Sequence, residues 1–204
     1  MHVAIAGNIG AGKTTLTKLL SKHYKWDAHF ESVEDNPYLD DFYNEMERWS
    51  FNLQVFFLNN RFEQILKIQQ SGRDIVQDRT IYEDAKIFAP NLHAMGLLTN
   101  RDFQNYSKLF ELMENLVTPP DILVYLRADI KTLVGQIHKR GREYESSINI
   151  DYLSRLNERY EAWIASYDKG KKLIIDVDTL DYESNPEDLG KIIESINAQT
   201  NGLF

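Results

Sequence analysis

The chain has 204 residues, 31 of them acidic and 23 basic, for a formal net charge of −8, and it contains no cysteine. That length suits a single α/β domain over residues 1–204 with a substantial core and leaves disulfides and thiolate chemistry out. The acidic balance excludes the broad basic face that nucleic acid or an anionic membrane demands, so a phosphate must be held by a local cluster of cations. The first strand begins almost at Met1, leaving no room for a leader, and no apolar run approaches the roughly 20 residues that span a bilayer; the cytoplasm is the expected compartment.

Val3 to Ala6 reads as a short buried strand. Gly7-Asn8-Ile9-Gly10-Ala11-Gly12-Lys13-Thr14 follows at once with the spacing G-x-x-x-x-G-K-[ST], and Thr15 comes next. This is a Walker A P-loop, whose glycines let backbone N–H groups wrap a phosphate chain. A helix expected from Lys13 to Tyr24 turns its positive end to the same anion. Lys13 is placed to reach the β and γ phosphates of a nucleoside triphosphate, and the Thr14 hydroxyl to ligate Mg²⁺. A chance Gly-rich turn would not need both the strand before and the helix after.

Trp26 to Phe30 reads as a second strand, ending at Glu31. Asn36-Pro37-Tyr38-Leu39 opens a helical stretch, and a long helix from about Glu47 to Gln70 is closed by Ser71-Gly72. Ile75-Val76 followed by Gln77-Asp78-Arg79 predicts a third strand with polar residues at its carboxyl end. Helices are expected from Tyr82 to about His93 and from Thr99 to Val117, with Gly96 between them and Pro119-Pro120 after them. Asp121 to Arg127 is the fourth strand, Ile130 to Lys139 a helix, and Arg140-Gly141-Arg142-Glu143-Tyr144-Glu145 a charged loop. A helix from about Asp151 to Tyr167, a last strand from Lys172 to Val177 and a tail helix near Pro186, with Asn185 as N-cap, complete the chain. Strands alternating with helices imply right-handed crossovers and a mainly parallel sheet covered on both faces, with ligands at the carboxyl ends of the strands.

Several polar residues fall at that rim. A kinase acting on an alcohol needs a carboxylate there as general base, and Glu31 is in position; alone it would pass for a solvated acid. Asp78 at a strand end can hold Mg²⁺, and Arg79 beside it can steady a transferred phosphoryl group or the base; a strand-end salt bridge is the bland alternative. His138, Lys139, Arg140 and Arg142 form the one dense basic cluster, suited to a lid that neutralises phosphoryl charge, or simply to a helix C-terminus. Gln54 and Arg61 lie two turns apart on one side of the long helix beside Phe51, Val55, Leu58, Phe62 and Ile65. A glutamine edge with aromatic neighbours fits a nucleobase, though such a helix is more often plain core. Asp84 is able to face the same pocket.

Together these residues resemble the deoxyribonucleoside kinase family over nearly the whole chain. Gly7 through Thr15 match its P-loop, and Glu31-Ser32-Val33 its catalytic-glutamate segment. Tyr43-x5-Trp49-Ser50-Phe51-x2-Gln54-x6-Arg61 follows its substrate-helix pattern, Asp78-Arg79-Thr80 its E-R-S motif, and Arg140-Gly141-Arg142 its R-x-R lid. The resemblance implies a P-loop kinase fold with a five-stranded parallel sheet, helices on both faces and an Arg-rich lid. It also implies transfer of the ATP γ-phosphate to the 5′-hydroxyl of a deoxyribonucleoside with Mg²⁺, and a homodimer. By the same correspondence Glu31 is the base, Tyr43 and Glu145 hold the sugar 3′-hydroxyl, Arg79, Arg140 and Arg142 act on the phosphoryl group, and Gln54, Arg61 and Asp84 read the base. The Arg61 and Asp84 pair points to the branch acting on deoxyadenosine, deoxyguanosine and deoxycytidine, and the E-S-V-x-x-N-P-Y-L wording favours deoxyadenosine. Asn36 and Gln136 depart from the pattern where a tryptophan and a further lid arginine are common, and Asp78 is one methylene shorter than the usual glutamate.

A nucleoside monophosphate kinase of the thymidylate kinase kind shares the P-loop, a D-R strand end and an Arg-rich lid. Glu31, Tyr43 and Glu145 speak against it, since acids round an acceptor phosphate would repel it. A slow nucleotide switch has less support still: no N-K-x-D motif occurs, and a substrate helix would have no task.

Overall fold

The structure is a computed structural model that describes residues 1–31, 36–142 and 148–200; Glu145, expected at the sugar, lies outside the described residues. Its strands are β1 (His2–Gly7), β2 (Asp27–His29), β3 (Ile75–Asp78), β4 (Ile122–Arg127) and β5 (Lys171–Asp176). They form one parallel sheet in the order β2-β3-β1-β4-β5. The connecting helices are α1 (Lys13–Tyr24), α2 (Leu39–Asn44), α3 (Met46–Ser71), α4 (Ile81–Glu83), α5 (Ala89–Ala94), α6 (Asn100–Glu114), α7 (Ile130–Arg140), α8 (Ile150–Ser166) and α9 (Pro186–Thr200).

The central strand shows why the sheet needs cover on both faces. Val3, Ala4, Ile5 and Ala6 are all fully buried. Their side chains alternate, as strand geometry requires: Val3 and Ile5 join a core with Leu16 and Leu20 of α1 and Ile192 and Ile196 of α9. Ala4 and Ala6 join a second core with Leu58 of α3, Tyr106 of α6 and Tyr160 of α8. The register sets Ile5 against Asp78 and Gly7 against Leu126, so the carboxyl ends of β3 and β4 flank the P-loop. That alignment, fixed by backbone pairing, carries Asp78 and Arg79 to the loop.

Two expected elements differ from those observed. The helix expected from Tyr82 to His93 is broken into α4, a π-helical turn over Asp84–Phe88, and α5. Pro90 is the cause: it has no N–H to donate to the fourth residue back, and its ring crowds that carbonyl. The chain widens just ahead of it, and the Ala89 N–H donates to the Asp84 carbonyl five residues back. The second strand covers only Asp27–His29, because Ser21 takes the Trp26 backbone, its carbonyl accepting the Trp26 N–H at 3.2 Å and its hydroxyl donating to the Trp26 carbonyl at 2.7 Å, and Gln64 Nε2 donates to the Phe30 carbonyl at 2.9 Å. Elsewhere boundaries move by one or a few residues. Asn185 caps α9 as expected, its side chain accepting from the Glu187 N–H at 3.0 Å. Among the described residues no helix is long and apolar enough to cross a membrane.

Candidate active site

The P-loop joins β1 to α1 in a conformation that only glycine takes without strain. Gly12 has φ +90°, and a Cβ there would collide with the Tyr182 hydroxyl, which donates to the Ala11 and Gly12 carbonyls. At Gly10, φ is +85° and a Cβ would stand 2.7 Å from the Leu133 carbonyl. Gly12→Ala is therefore expected to destabilise the fold by about 1–3 kcal/mol and to weaken ATP binding, as urea unfolding and ATP titration would register. Unchanged stability would show that Tyr182 yields without cost.

The loop's cation is held ready. Lys13 Nζ donates to the Asn8 carbonyl at 2.9 Å. Burial, then Arg79, push Lys13 down to about 8, against the pull of Asp78, Glu83 and Glu31. Thr14 Oγ1 donates to Asp78 Oδ2 at 2.5 Å, so the two predicted metal ligands are already together. Asp78 is 2 % exposed, burial raises its carboxyl, and Oδ1 has no hydrogen-bond partner. An unpaired carboxylate oxygen beside a threonine hydroxyl fits Mg²⁺, which takes most of its ligands from phosphate and water.

Across from the loop stands a buried ionic cluster. Arg61 Nη2 donates to Glu31 Oε1 at 2.9 Å, and Arg61 Nε donates to Asp84 Oδ2 at 3.0 Å. Arg79 Nε lies 3.1 Å from the same Glu31 oxygen, an ion pair without hydrogen-bond geometry. Burial works against the charge of Glu31, but Arg79, Arg61 and Lys13 outweigh it and hold the carboxyl down at about 2. Asp84 is pushed up by burial despite Arg61. Arg79 itself has φ +70°, a region in which a side chain is strained, and its guanidinium lies over the Phe88 ring at 4.7 Å from the centroid.

A cleft of about 720 Å³ runs between these groups. Its donor end is lined by Ile9, Gly10 and Gly12 to Thr15, with Gln136, Arg140 and Arg142 from the end of α7 and just beyond. Its acceptor end is lined by Glu31, Tyr43, Gln54, Asp78, Arg79 and Asp84. Gln54 is 3 % exposed, and its Oε1 has no protein partner. The other predicted loop residues face inward. Gly7 N donates toward Glu83 at 3.3 Å, Asn8 Nδ2 donates to the Leu153 carbonyl and Asn157 Oδ1, each at 3.1 Å, and Ala11 belongs to the core under α1. Arg61, read from sequence as a base contact, clamps Glu31 to Asp84 and is not among the residues that line the cleft.

Sequence reasoning missed Glu83 and Tyr160. Both are fully buried, and they meet beneath Arg79, with Tyr160 Oη donating to Glu83 Oε1 at 2.8 Å. Thr80-x-x-Glu83 has the spacing of a capping box, a signal that was available; Tyr160 reads only as the core face of α8. In the segment near Asp178 to Tyr182, Tyr182 anchors to the P-loop, and Lys139 Nζ pairs with Glu183 at 3.0 Å beside the cleft.

Comparison with known proteins agrees with this fold. The pattern of the family described as deoxynucleoside kinase matches residues 3–201. The deoxyadenosine/deoxycytidine kinase of Bacillus subtilis is 38 % identical over 199 residues, covering 95 % of this chain and 90 % of the relative. A deoxyguanosine kinase of Lactobacillus johnsonii is 36 % identical over 209 residues, covering 97 % and 91 %. Among solved structures, deoxyadenosine kinase from M. mycoides with bound dATP superimposes with a TM-score of 0.84 at 31 % identity, covering 97 % of this chain and 99 % of that one.

Proposed function

The chain belongs to the deoxynucleoside kinase family and is an ATP-dependent nucleoside kinase, and we propose that it transfers the ATP γ-phosphoryl group to the 5′-hydroxyl of deoxyadenosine. The observation that carries this reading is the state of Glu31. It is an ionised carboxylate at the acceptor end of the cleft, with Asp78 and Asp84 close by. Such a group suits a hydroxyl that must lose a proton, and it would repel a phosphate acceptor.

In this scheme the triphosphate lies on the P-loop with Lys13 at its β and γ phosphates. Mg²⁺, held by Thr14 and through Asp78, supplies charge neutralisation on the phosphate oxygens when bound. Arg79, joined by Arg140 and Arg142, turns its guanidinium to the transferring phosphoryl group. As Arg79 leaves Glu31, the carboxylate regains affinity for a proton, late in a transfer whose transition state is loose and demands little of the base until the oxygen bond forms. Tyr43 and Glu145 take the sugar 3′-hydroxyl. The enzyme works in this proposal as one domain over 1–204, in the cytoplasm and as a homodimer; the exposed leucines Leu112, in the last turn of α6, and Leu116, in the turn after it, support an apolar contact with a second copy.

Adenine is favoured because the unpaired Gln54 Oε1 can accept from the exocyclic amino group while the same amide offers an N–H to the neighbouring ring nitrogen, and Asp84, held by Arg61, lines the same end of the cleft. Relatives named for deoxyguanosine lie at nearly the same identity as those named for deoxyadenosine, so the side chains have to decide. Steady-state phosphorylation of deoxyadenosine, deoxyguanosine, deoxycytidine and thymidine tests the base. The expected result is highest kcat/KM for deoxyadenosine, and Asp84→Ala lowering it about 10–100-fold while thymidine changes by less than about threefold. An equal loss on every base would remove Asp84 from base reading.

A further inference from the structure

We infer that Glu83 is a positioning residue for the reaction, setting the Arg79 guanidinium and the first turn of the P-loop in register with each other. The inference rests on the reading of Arg79 as the cation that meets the phosphoryl group. Glu83 has no exposed surface, and both of its oxygens are occupied. Oε2 accepts from the Thr80 N–H at 2.7 Å and the Thr80 hydroxyl at 3.3 Å. Oε1 accepts from the Tyr160 hydroxyl at 2.8 Å, Arg79 Nη1 at 3.3 Å and the Gly7 N–H at 3.3 Å.

Capping alone does not account for this. A three-residue helix needs only the Oε2 contacts, which an uncharged side chain also makes, whereas a full carboxylate at zero exposure is costly unless its charge is used. The second oxygen reaches 76 residues back to the P-loop and, at the same time, to the guanidinium. The Arg79 backbone, at φ +70°, persists only if its surroundings over-determine it. Its own N–H is fixed on the Ile5 carbonyl at 2.9 Å, and the next N–H is fixed on Glu83. Tyr160 completes the set: its hydroxyl accepts from Arg79 Nη1 at 2.8 Å while donating to Glu83. Arg79 is thus aimed from behind by one carboxylate and one phenol, and the carboxylate is tied to the end of β1 through the Gly7 N–H.

The test is a double-mutant cycle on kcat with Mg·ATP and deoxyadenosine. Glu83→Gln keeps the shape but turns an amide N–H₂ toward N–H donors, and kcat is expected to fall about 10–100-fold with both KM values within about threefold. In an Arg79→Lys background the same change should cost less than about threefold more, because a group that acts through Arg79 has little left to act on. A kcat within about twofold of wild type, or a loss that multiplies fully onto Arg79→Lys, would overturn the inference. Full kcat in Arg79→Lys alone would instead bring down the reading of Arg79 beneath it. Should Glu83→Gln not fold, Tyr160→Phe decides, since it keeps both charges: wild-type kcat at unchanged Tm contradicts the positioning role, and a fall in kcat with KM held supports it.

Discussion

Glu31→Gln is expected to lower kcat at least about 10²-fold while nucleoside binding is nearly retained, because on the proposed mechanism the amide keeps the shape of the side chain but cannot accept the 5′-hydroxyl proton. The mutated position is held by Arg61 at 2.9 Å and faced by Arg79 at 3.1 Å, so the amide oxygen still finds donors and the cleft keeps its form. With the wild-type carboxyl held down at about 2 in the free enzyme, Glu31 is ionised there at every pH the assay uses, and the ratio of wild-type to mutant kcat/KM for deoxyadenosine should be flat above about pH 4. Measured together, kcat and the dissociation constant for deoxyadenosine separate the roles. Near-normal turnover would remove Glu31 as base, whereas lost binding with intact turnover would make it a substrate contact only.

Lys13→Met should lower kcat/KM for ATP by about 10²–10³-fold, the usual loss when one preorganised donor to developing phosphate charge is removed. The wild type carries a second signature of this residue. Burial and Arg79 push the Lys13 ammonium down to about 8 in the free enzyme, so it is cationic below that pH and neutral above it. kcat/KM for ATP, which reports the free enzyme, should therefore decline as pH rises past about 8. kcat should hold to higher pH, since bound phosphates favour the charged form. Lys13→Met should lack the alkaline limb altogether. A wild-type profile flat to pH 10, or a limb that survives in Lys13→Met, would assign the titration elsewhere.

The parts of this site that were legible in the sequence are those whose chemistry is local. The P-loop needs a strand, a glycine spacing and a helix in one continuous run, and all three stand in the first 24 residues. Asp78 and Arg79 were readable as a strand end because Ile75 and Val76 precede them, and the parallel register then delivers them to the loop. Gln54 fits the face it was expected on, since helical period alone places it. Long-range contacts were not readable. Arg61 has the same period as Gln54, yet Glu31 and Asp84 capture it from two other elements, and it is not among the residues that line the cleft. Glu83 works with Gly7 and Tyr160, each more than 70 residues away, and only the sheet order brings them together. The strained Arg79 backbone has no local signature, because glycine, asparagine or aspartate would be the ordinary choice there. Pro90 was visible, but its consequence, a widened turn that carries Asp84 and Phe88 to the cleft, depends on the helix continuing past it.

Acceptor chemistry is where these features converge. An ionised Glu31, Asp84 clamped by Arg61, and a glutamine with an open acceptor describe a pocket for an uncharged nucleoside with a free hydroxyl. The measurement that tests this most directly is a chromatographic kinase assay with Mg·ATP, offering deoxyadenosine and its 5′-monophosphate separately. The account predicts that deoxyadenosine is converted to the monophosphate and that the monophosphate is left unchanged. Phosphorylation of the monophosphate, with deoxyadenosine untouched, would contradict the assignment of Glu31 as base and with it the hydroxyl acceptor.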